Sequence, residues 1–323
     1  MTCQVLVTGA TGFIGRVLCD ELLRGGNGVI ALTRHSTTQP FDPRIVIRPI
    51  GDLADVTDWR PVLEGVQVVV HLAGRAHRLG ESRANSQRLY QLNNTEVTKS
   101  LAAAAATCGV QQLVYMSSVK VFGDGPFSGP LKAADAPVPS DEYGISKRSA
   151  EIWLMNNPGT SPRISIIRPP LVYGPGVRAN FLRLMRLTSL GIPLPLGGLK
   201  NLRSLISVWN LADLIILLIK SPGKSNGIWH ASDGQDCSTS QLIEAIALQM
   251  GKVPRLFSAP DFLIRNSLRA IGRGAEYNRL FGSLQLDISA TLEGLSWKPP
   301  LSLEEGLART VSWYQGRSNA VAV

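Results

Sequence analysis

Three features of the 323-residue sequence predict an α/β fold class, with a doubly wound parallel sheet and a smaller C-terminal α/β domain. First, an apolar and β-branched run at residues 4–8 is typical of a buried parallel strand, and it leads into glycines and a helix-like segment. Second, strand-like and helix-like segments alternate through the first half of the chain, which is typical of parallel sheets with right-handed crossovers. Third, proline and glycine become frequent beyond Pro169, which indicates that a second domain begins near Gly174.

The turn after the first predicted strand contains Gly9, Gly12 and Gly15, spaced G-x-x-G-x-x-G. Gly9 allows a sharp turn, Gly12 has no Cβ that would keep a pyrophosphate away, and Gly15 allows the helix and strand to pack closely. The free amides at the N-terminus of the following helix then face the phosphates. Because the glycines lie between a strand and a helix, they predict a dinucleotide-binding site of the Rossmann type.

The remaining elements of the sheet follow in chain order. We expect further strands at residues 28–33, 44–50, 66–72, 112–116 and 163–168, with an edge strand at residues 228–231. A long helix is predicted over residues 86–108. Ligands of open α/β sheets bind at the carboxyl ends of the strands, so Ala73-Gly74 and Ser117-Ser118 are predicted to lie at the site.

Arg34 follows the second predicted strand, with no carboxylate beside it in the sequence. In dinucleotide folds an acidic residue near this point binds the ribose 2′-hydroxyl, whereas an arginine accommodates a 2′-phosphate. The sequence therefore predicts NADP(H) as the preferred cofactor and NAD(H) as the alternative. A solvated surface arginine would also fit the pattern.

Composition excludes several other classes of protein. The net charge of +9 suits an anionic ligand, but the basic residues are dispersed and no nucleic-acid-binding module accompanies them. The most apolar run, residues 211–219, is too short to span a bilayer, and the chain begins directly with a strand, so we expect a cytoplasmic protein without membrane insertion. Four scattered cysteines predict free thiols in a reducing compartment, with no metal site: Cys3, Cys19, Cys108 and Cys237.

Tyr143 and Lys147 form the pattern Y-x-x-x-K in a helix-like segment, so their side chains share one helix face. An ammonium beside a phenol stabilises the phenolate, and we therefore expect Lys147 to lower the pKa of Tyr143. Ser118 ends a strand that points at the same cleft, where its hydroxyl can bond a substrate oxygen. Nucleophilic serine chemistry is the alternative, but no G-x-S-x-G turn surrounds Ser118. The three residues predict acid/base chemistry beside a hydride carrier.

The sequence resembles the extended short-chain dehydrogenase/reductase family, in its nucleotide-sugar epimerase, reductase and dehydratase branch. The resemblance covers nearly the whole chain and rests on motifs in the family's order: T-G-A-T-G-F-I-G, H-L-A-G, S-S-V-K-V-F-G, Y-G-I-S-K, R-P-P-L-V-Y-G-P-G and L-S-W-K-P-P. It implies a dinucleotide-binding domain over residues 1–173, with an edge return near 205–233. Residues 174–204 and 234–323 would form the nucleotide-sugar-binding domain.

The resemblance also implies roles for individual residues. Ser118, Tyr143 and Lys147 match the catalytic triad, and Asp52-Leu53 match the pair that flanks the adenine. The residues predicted to bind the cofactor are Gly9, Thr11, Gly12, Phe13, Ile14, Gly15, Arg34, Asp52, Leu53, Leu72, Ala73, Gly74, Asn93, Ser117, Tyr143, Lys147 and Pro170. Those predicted to contact the substrate are Lys120, Asn180, Arg203 and, more weakly, Arg279.

Departures from the family's pattern narrow the expected reaction. The sugar 4,6-dehydratases carry an Asp-Glu pair where this chain has Val119 and Lys120, and the epimerases usually carry Asn where it has Leu171. With Arg34, these departures resemble the bacterial O-antigen reductases, which reduce UDP-4-keto-6-deoxy-N-acetylhexosamines at C4. The motifs K-V-F-G, A-N-F-L-R-L-M and G-I-P-L-P-L-G-G resemble the same subgroup.

We therefore expect an NADP(H)-dependent UDP-sugar 4-reductase. The first alternative is a UDP-glucose or UDP-N-acetylglucosamine 4-epimerase with tightly held NAD, and the second is a non-enzymatic NADP-binding regulator. A homodimer through the helices at residues 86–108 and 143–156 is a further expectation from the resemblance.

Overall fold

The structure is a computed structural model and describes residues 3–36, 41–76, 83–156, 162–270 and 281–321. Its strands, in chain order, are β1 Gln4–Thr8, β2 Gly28–Thr33, β3 Val46–Pro49, β4 Val68–His71, β5 Gln112–Met116, β6 Arg163–Arg168, β7 Leu171–Tyr173, β8 Leu205–Ser207 and β9 Gly227–His230. Seven of them form one parallel sheet in the order β3-β2-β1-β4-β5-β6-β9, while β7 and β8 pair in a separate parallel sheet. The predicted doubly wound parallel sheet is confirmed, including the edge strand near residue 228.

Helices cover the main sheet and form the smaller C-terminal layer. They are α1 Phe13–Arg24, α2 Arg60–Leu63, α3 Arg83–Tyr90, α4 Val97–Thr107, α5 Glu142–Asn156, α6 Ala179–Leu190, α7 Val208–Lys220, α8 Thr239–Gln249, α9 Asp261–Ala270, α10 Ser289–Leu295 and α11 Leu303–Val321. Short 3₁₀ turns occupy Leu53–Asp55 and Val119–Phe122. Within the described ranges, no helix is long and apolar enough to cross a bilayer.

The alternation of side chains along β1 explains why the sheet is covered on both sides. Val5 and Val7 belong to a core that includes residues of α1 and α7, whereas Leu6 belongs to the core formed with α4 and α5. All three side chains are fully buried. A parallel strand with both faces buried is an almost continuous apolar run, as residues 5–7 are.

The long helix predicted over residues 86–108 is divided in three. Between α3 and α4 the segment Gln91–Glu96 is π-helical. A π-helical turn adds one residue without breaking the apolar pattern, and such turns occur frequently at functional sites. The segment contains two adjacent asparagines, Asn93 and Asn94, whose different contacts are described below.

The second layer has its own core around Tyr173, whose ring stacks on Phe181 at 5.4 Å between centroids. The Tyr173 hydroxyl donates to Asp233 Oδ2 at 2.7 Å, and the other oxygen of this carboxylate accepts from the Asn210 side chain at 2.7 Å and the Ser207 amide at 2.9 Å. Because Asp233 follows β9 and Tyr173 ends β7, this buried network joins the main sheet to the small one.

Two buried histidines, His71 and His230, make the free energy of unfolding depend on pH. Burial, and then the Lys147 charge, lower the pKa of His71 to about 3, and burial and then the Arg168 charge lower that of His230 to about 4. Below about pH 6.5 the unfolded chain binds protons at these imidazoles that the folded chain does not, so stability falls as the pH falls. We expect the free energy of unfolding to drop by about 4 kcal/mol between pH 7 and pH 5, measured by urea denaturation. His71→Gln should flatten this slope, whereas removing the exposed His35 should not; equal slopes in wild type and His71→Gln would contradict the assignment.

Candidate active site

The loop from β1 to α1 approaches the loop after β4 so closely that only glycine fits. Gly9 has a φ of +68°, and a Cβ there would lie 2.9 Å from the Ala73 amide nitrogen. A Cβ on Gly15 would collide with the Ala10 backbone, and one on Gly12 would lie 3.0 Å from the Gly9 carbonyl oxygen. Gly12 is the N-cap residue of α1 and provides no side-chain cap, and the first turn of this helix has no acidic residue. The positive end of this helix therefore suits an anion, as a dinucleotide pyrophosphate would require.

Five other residues predicted to bind the cofactor lie on this loop, on α1 or directly after β4 and β6. Phe13 packs beside two glycines of the V-Y-G-P-G segment, since a Cβ at Gly174 or Gly176 would lie 3.5 Å from its ring. Thr11 is exposed at the turn and Ile14 is half-buried, as is Leu72 at the end of β4. Pro170 is buried after β6.

Ser118 and Tyr143 meet at the carboxyl end of β5. Ser118 caps the Val119–Phe122 turn by accepting a hydrogen bond from the Lys120 amide at 3.2 Å, and its hydroxyl hydrogen-bonds that of Tyr143. Lys147 lies one turn further along α5 and is only 3% exposed. Its ammonium donates to the Met116 carbonyl at 2.8 Å, so all three predicted catalytic residues are brought together at this edge.

Gly74 connects this group to the cofactor loop. A Cβ at Gly74 would lie 3.0 Å from Asn94 Oδ1 and 3.2 Å from Lys147 Nζ. The loop after β4, which touches Gly9 on one side, therefore passes directly beside Lys147 on the other. The glycine loop and the acid/base residues form one continuous site.

Burial raises the pKa of Tyr143 to about 12, the charges of Asp141 and Tyr90 act in the same direction, and the Ser118 hydrogen bond opposes them. The expectation that the Lys147 ammonium lowers the pKa of Tyr143 is wrong here, because burial dominates and Lys147 is not among the causes of the shift. Burial likewise lowers the pKa of Lys147 to about 8, against the charge of Glu151. At neutral pH the Tyr143 phenol is therefore protonated.

A buried carboxylate holds the segment that carries the two serines. Glu151 accepts hydrogen bonds from the Ser117 hydroxyl at 2.6 Å and from Arg168 Nε and Nη2 at 2.9 and 2.8 Å. Glu151 and Arg168 are 0% and 1% exposed. The spacing of Tyr143, Lys147 and Glu151 at i, i+4 and i+8 along α5 is the signal from which Glu151 could have been predicted.

The π-helical segment places Asn94 at the site. Its Oδ1 accepts from the Arg75 amide at 2.7 Å, and its Nδ2 donates to the Arg75 carbonyl at 3.1 Å and to Ser146 Oγ at 3.0 Å. The neighbouring Asn93, which was predicted to bind the cofactor, instead donates to the Leu89 carbonyl of its own helix at 2.9 Å. Asn94 is therefore the asparagine that ties the loop after β4 to α5.

Four hydrogen bonds in series, which pass through His71, also fix the loop after β4. The Thr98 hydroxyl donates to the Asn94 carbonyl at 2.7 Å, so its oxygen accepts from His71 Nε2 at 3.1 Å. In the neutral imidazole Nδ1 then accepts from the Thr8 hydroxyl at 2.7 Å, and Thr8 Oγ1 accepts from the Ala73 amide at 3.1 Å. His71 is thus the Nε2–H tautomer, and it joins β1, β4 and α4 beneath the site.

Arg34 at the end of β2 lies beside Asp52, with 3.5 Å between Nη2 and Oδ2. Both side chains are substantially exposed, at 62% and 40%. The second Asp52 oxygen accepts from the Ala54 amide at 3.0 Å and caps the 3₁₀ turn that begins at Leu53. The fold therefore supplies Arg34 with the carboxylate that is not beside it in the sequence.

The predicted substrate contacts have different surroundings. The Lys120 ammonium pairs with Asp124 and Asp141, while Asn180 is exposed in the first turn of α6. Arg203 donates from Nη1 to the Gly282 carbonyl at 2.9 Å and lies beside the C-terminal segment. Arg279 lies outside the described residues. The described part of the chain has no cluster of three or more residues that could hold a metal ion.

Comparison with known proteins identifies the class. The model described as "NAD dependent epimerase/dehydratase family" matches residues 5–231, and the chain belongs to that family. This confirms the resemblance to extended short-chain dehydrogenase/reductases.

Individual relatives extend the match to the whole chain. A UDP-glucose 4-epimerase from Vibrio cholerae is 39% identical over 323 residues, spanning 99% of this chain and 98% of the relative. A dTDP-6-deoxy-L-talose 4-dehydrogenase (NAD(P)(+)) from Kitasatospora kifunensis is 27% identical over 318 residues, or 94% of this chain and 93% of the relative. Among solved structures, MoeE5 in complex with UDP-glucuronic acid and NAD is 26% identical with a TM-score of 0.75, covering 97% of this chain and 99% of that one.

The buried charge of Lys147 should lower stability. Its folded pKa of about 8 is below the ordinary value of 10.5, so the unfolded chain binds the proton more tightly and stability rises with pH through this interval. We expect Lys147→Met to raise the free energy of unfolding at pH 7 by about 1–3 kcal/mol, partly offset by the lost hydrogen bond to Met116, and this gain should shrink above pH 10. Urea denaturation at both pH values measures it. The exposed Lys220→Met is the matched control and should change stability by less than about 0.5 kcal/mol; an equal effect of both variants would contradict the prediction.

Proposed function

We propose that the protein is a nicotinamide-dependent UDP-sugar 4-epimerase that oxidises and re-reduces C4 of a UDP-hexose. The observation that carries this proposal is the contact between Ser118 and Tyr143, with Lys147 one turn away, at the edge shared with the glycine loop. The full-length similarity to a UDP-glucose 4-epimerase supports C4 chemistry. This proposal replaces the 4-reductase as the preferred function.

The cofactor would be held by the features already described. The start of α1 at Gly12 would bind the pyrophosphate, Asp52 and Leu53 would flank the adenine, and Ala73 would lie near the nicotinamide. The Met116 carbonyl takes one of the three donors of the Lys147 ammonium, which leaves donors for ribose hydroxyls. When bound, the nicotinamide supplies the hydride chemistry at C4.

The protein's own residues would move the proton. In its phenolate form Tyr143 would take the proton from the sugar O4 as C4 is oxidised and would return it when C4 is reduced, while Ser118 would orient that oxygen. Because the pKa of Tyr143 is about 12, the neutral phenol predominates at neutral pH, and nearby positive charge would be needed to stabilise the phenolate that accepts the proton. Asn180 and Arg203 are the proposed contacts of the UDP diphosphate, and Arg forks suit phosphate oxygens.

Geometry at Arg34 supports NAD rather than NADP for this function. A ribose 2′-phosphate at the end of β2 would meet the Asp52 carboxylate and would have to draw Arg34 away from it. A ribose diol can instead be accepted by a carboxylate. The NAD in the MoeE5 complex, at 26% identity, supports the same choice.

Two further proposals concern the setting of the enzyme. The free cysteines among the described residues support the cytoplasm as its location. Ile145, Ile152 and Met155 are 42%, 44% and 50% exposed on α5 and recur at helical spacing. An exposed apolar stripe of this kind supports a homodimer through α5.

Tyr143→Phe tests the epimerase. Loss of the acid/base hydroxyl should lower kcat for conversion of UDP-glucose to UDP-galactose by about 10²–10⁴-fold with little change in KM, measured by chromatography of the products. The wild type should release NAD on denaturation and show no net absorbance change of the nicotinamide during turnover. The matched control is Tyr314→Phe, since Tyr314 lies on α11 and its hydroxyl hydrogen-bonds Ser189 of α6. Near-normal turnover by Tyr143→Phe would contradict the proposal.

The second candidate is the NADP(H)-dependent reduction of a UDP-4-keto-6-deoxy-N-acetylhexosamine. The specific observation in its favour is Arg34 at the 2′-phosphate position, together with Leu171 where epimerases usually carry Asn. The Kitasatospora relative is named for a 4-dehydrogenase reaction with NAD(P)(+).

Arg34→Ala distinguishes the two functions. A reductase consumes NADPH stoichiometrically, and loss of Arg34 should then raise KM for NADPH at least about tenfold without affecting NADH. An epimerase should show no such consumption and should retain its bound NAD in Arg34→Ala. Steady-state assays of the wild type and variant with both cofactors measure this, with the exposed Arg24→Ala as the control.

A further inference from the structure

Lys120 lies between the two residues that would handle the proton. Its backbone amide donates to Ser118 Oγ at 3.2 Å. Its carbonyl lies against the first turn of α5, where any Cβ on Gly144 would collide with it. Glycine at position 144 is therefore required for the Val119–Phe122 turn to pack on the start of the helix that carries Tyr143.

The Lys120 side chain neutralises a carboxylate beside Tyr143. Its ammonium is 3.3 Å from Asp141 Oδ2 and also pairs with Asp124, and the side chain is only 21% exposed. The other Asp141 oxygen accepts from the Gly144 amide at 2.7 Å and caps the start of α5. Asp141 is thus fixed two residues before Tyr143, with Lys120 as its counter-ion.

A carboxylate held in this position disfavours the phenolate form of Tyr143, and its negative charge contributes to the raised pKa of that residue. Partial neutralisation by an ammonium weakens this effect. The position is also chemically distinctive, since the chain has Lys120 where the sugar dehydratases would place an acid.

We infer that Lys120 is a positioning residue: it holds Ser118 through its backbone amide and, by neutralising Asp141, favours the phenolate form of Tyr143, which is the form that accepts a proton. This inference rests on the proposed acid/base role of Tyr143. It gives Lys120 a role within the protein, whereas the sequence predicted a contact with the substrate.

Other groups also act on the Tyr143 hydroxyl and must stay constant in a test. The ring of Tyr90 on α3 meets that of Tyr143 at 6.0 Å between centroids, and Arg75 lies 5.9 Å from the centre of the Tyr90 ring. The titratable and charged groups around Tyr143 from the packed elements are Arg75, Tyr90, Tyr115, Lys120, Asp124, Asp141, Lys147 and Glu151. Of these groups, only Lys120 and Asp141 are altered in the pH-profile experiment below.

The test is the pH profile of kcat/KM for UDP-glucose in four variants. On the side of the profile where kcat/KM rises with pH, Lys120→Met should move this rising limb to higher pH. A displacement of one pH unit would lower kcat/KM about tenfold at a fixed pH on that limb. Asp141→Asn should displace it to lower pH, while its side-chain oxygen can still accept from the Gly144 amide. The double variant should return towards the wild-type limb, and Lys120→Arg should retain it.

Lys99→Met provides the matched control, because Lys99 forms a similar ion pair with Glu96 on α4, outside the catalytic group. It should leave the limb unchanged. A loss of rate in Lys120→Met that is equal at every pH would show a structural role only and would overturn the inference.

A second measurement does not depend on turnover. In protein labelled with ¹³C at the tyrosine Cζ, the Tyr143 signal is identified by its loss in Tyr143→Phe. Its titration should begin at the lowest pH in Asp141→Asn, then in wild type, and at the highest pH in Lys120→Met. An absence of epimerase activity with this order intact would contradict the proposed function alone, whereas normal activity without this order would overturn the inference about Lys120.

Discussion

The buried ammonium of Lys147 is the constraint around which the site is built. A charge that leaves water loses several kcal/mol of solvation, and the surrounding structure must compensate for that loss. Here the Met116 carbonyl accepts a hydrogen bond from it, the face of Tyr115 lies 4.8 Å away, and Glu151 supplies an opposite charge one turn along α5. Glu151 is itself buried and requires the two hydrogen bonds from Arg168. Since these residues belong to β5, β6 and α5, one charge-balanced cluster fixes three elements relative to one another.

Much of the fold follows directly from the sequence. The predicted limits of β2, β5 and β6 agree with the structure at residues 28–33, 112–116 and 163–168, because each segment is short and rich in apolar and β-branched residues. The helix predicted over residues 86–108 contains a π-helical segment, which the apolar pattern could not indicate. One added residue leaves an amphipathic pattern nearly intact but rotates the following side chains. Asn94, and not Asn93, consequently bonds the backbone of Arg75.

The sequence indicates which residues lie at the site but not the pKa values of their side chains. Sequence spacing correctly indicates that Tyr143 and Lys147 share a helix face, but it contains no measure of how deeply each is buried. Burial acts on the two residues in opposite senses, raising the pKa of the phenol and lowering that of the ammonium. Both shifts favour the neutral forms. The proton affinity of Tyr143 is therefore set by its surroundings, including Ser118 and Asp141, rather than by the nearest lysine.

The prediction of NADP(H) as the cofactor shows the same limitation. No carboxylate stands beside Arg34 in the sequence, and on that ground a 2′-phosphate was the natural partner for the guanidinium. The parallel pairing of β2 with β3 brings the following segment back, and with it Asp52, to within 3.5 Å of Arg34. A phosphate at this position would gain one positive charge and meet one negative charge, both largely exposed to water, where each interaction is weak. Arg34 and Asp52 are 18 positions apart in the chain, and Asp52 also accepts a hydrogen bond from the Ala54 amide. Because that hydrogen bond caps the turn at Leu53, the carboxylate is held in place by the backbone. A local sequence pattern around Arg34 could not indicate this carboxylate.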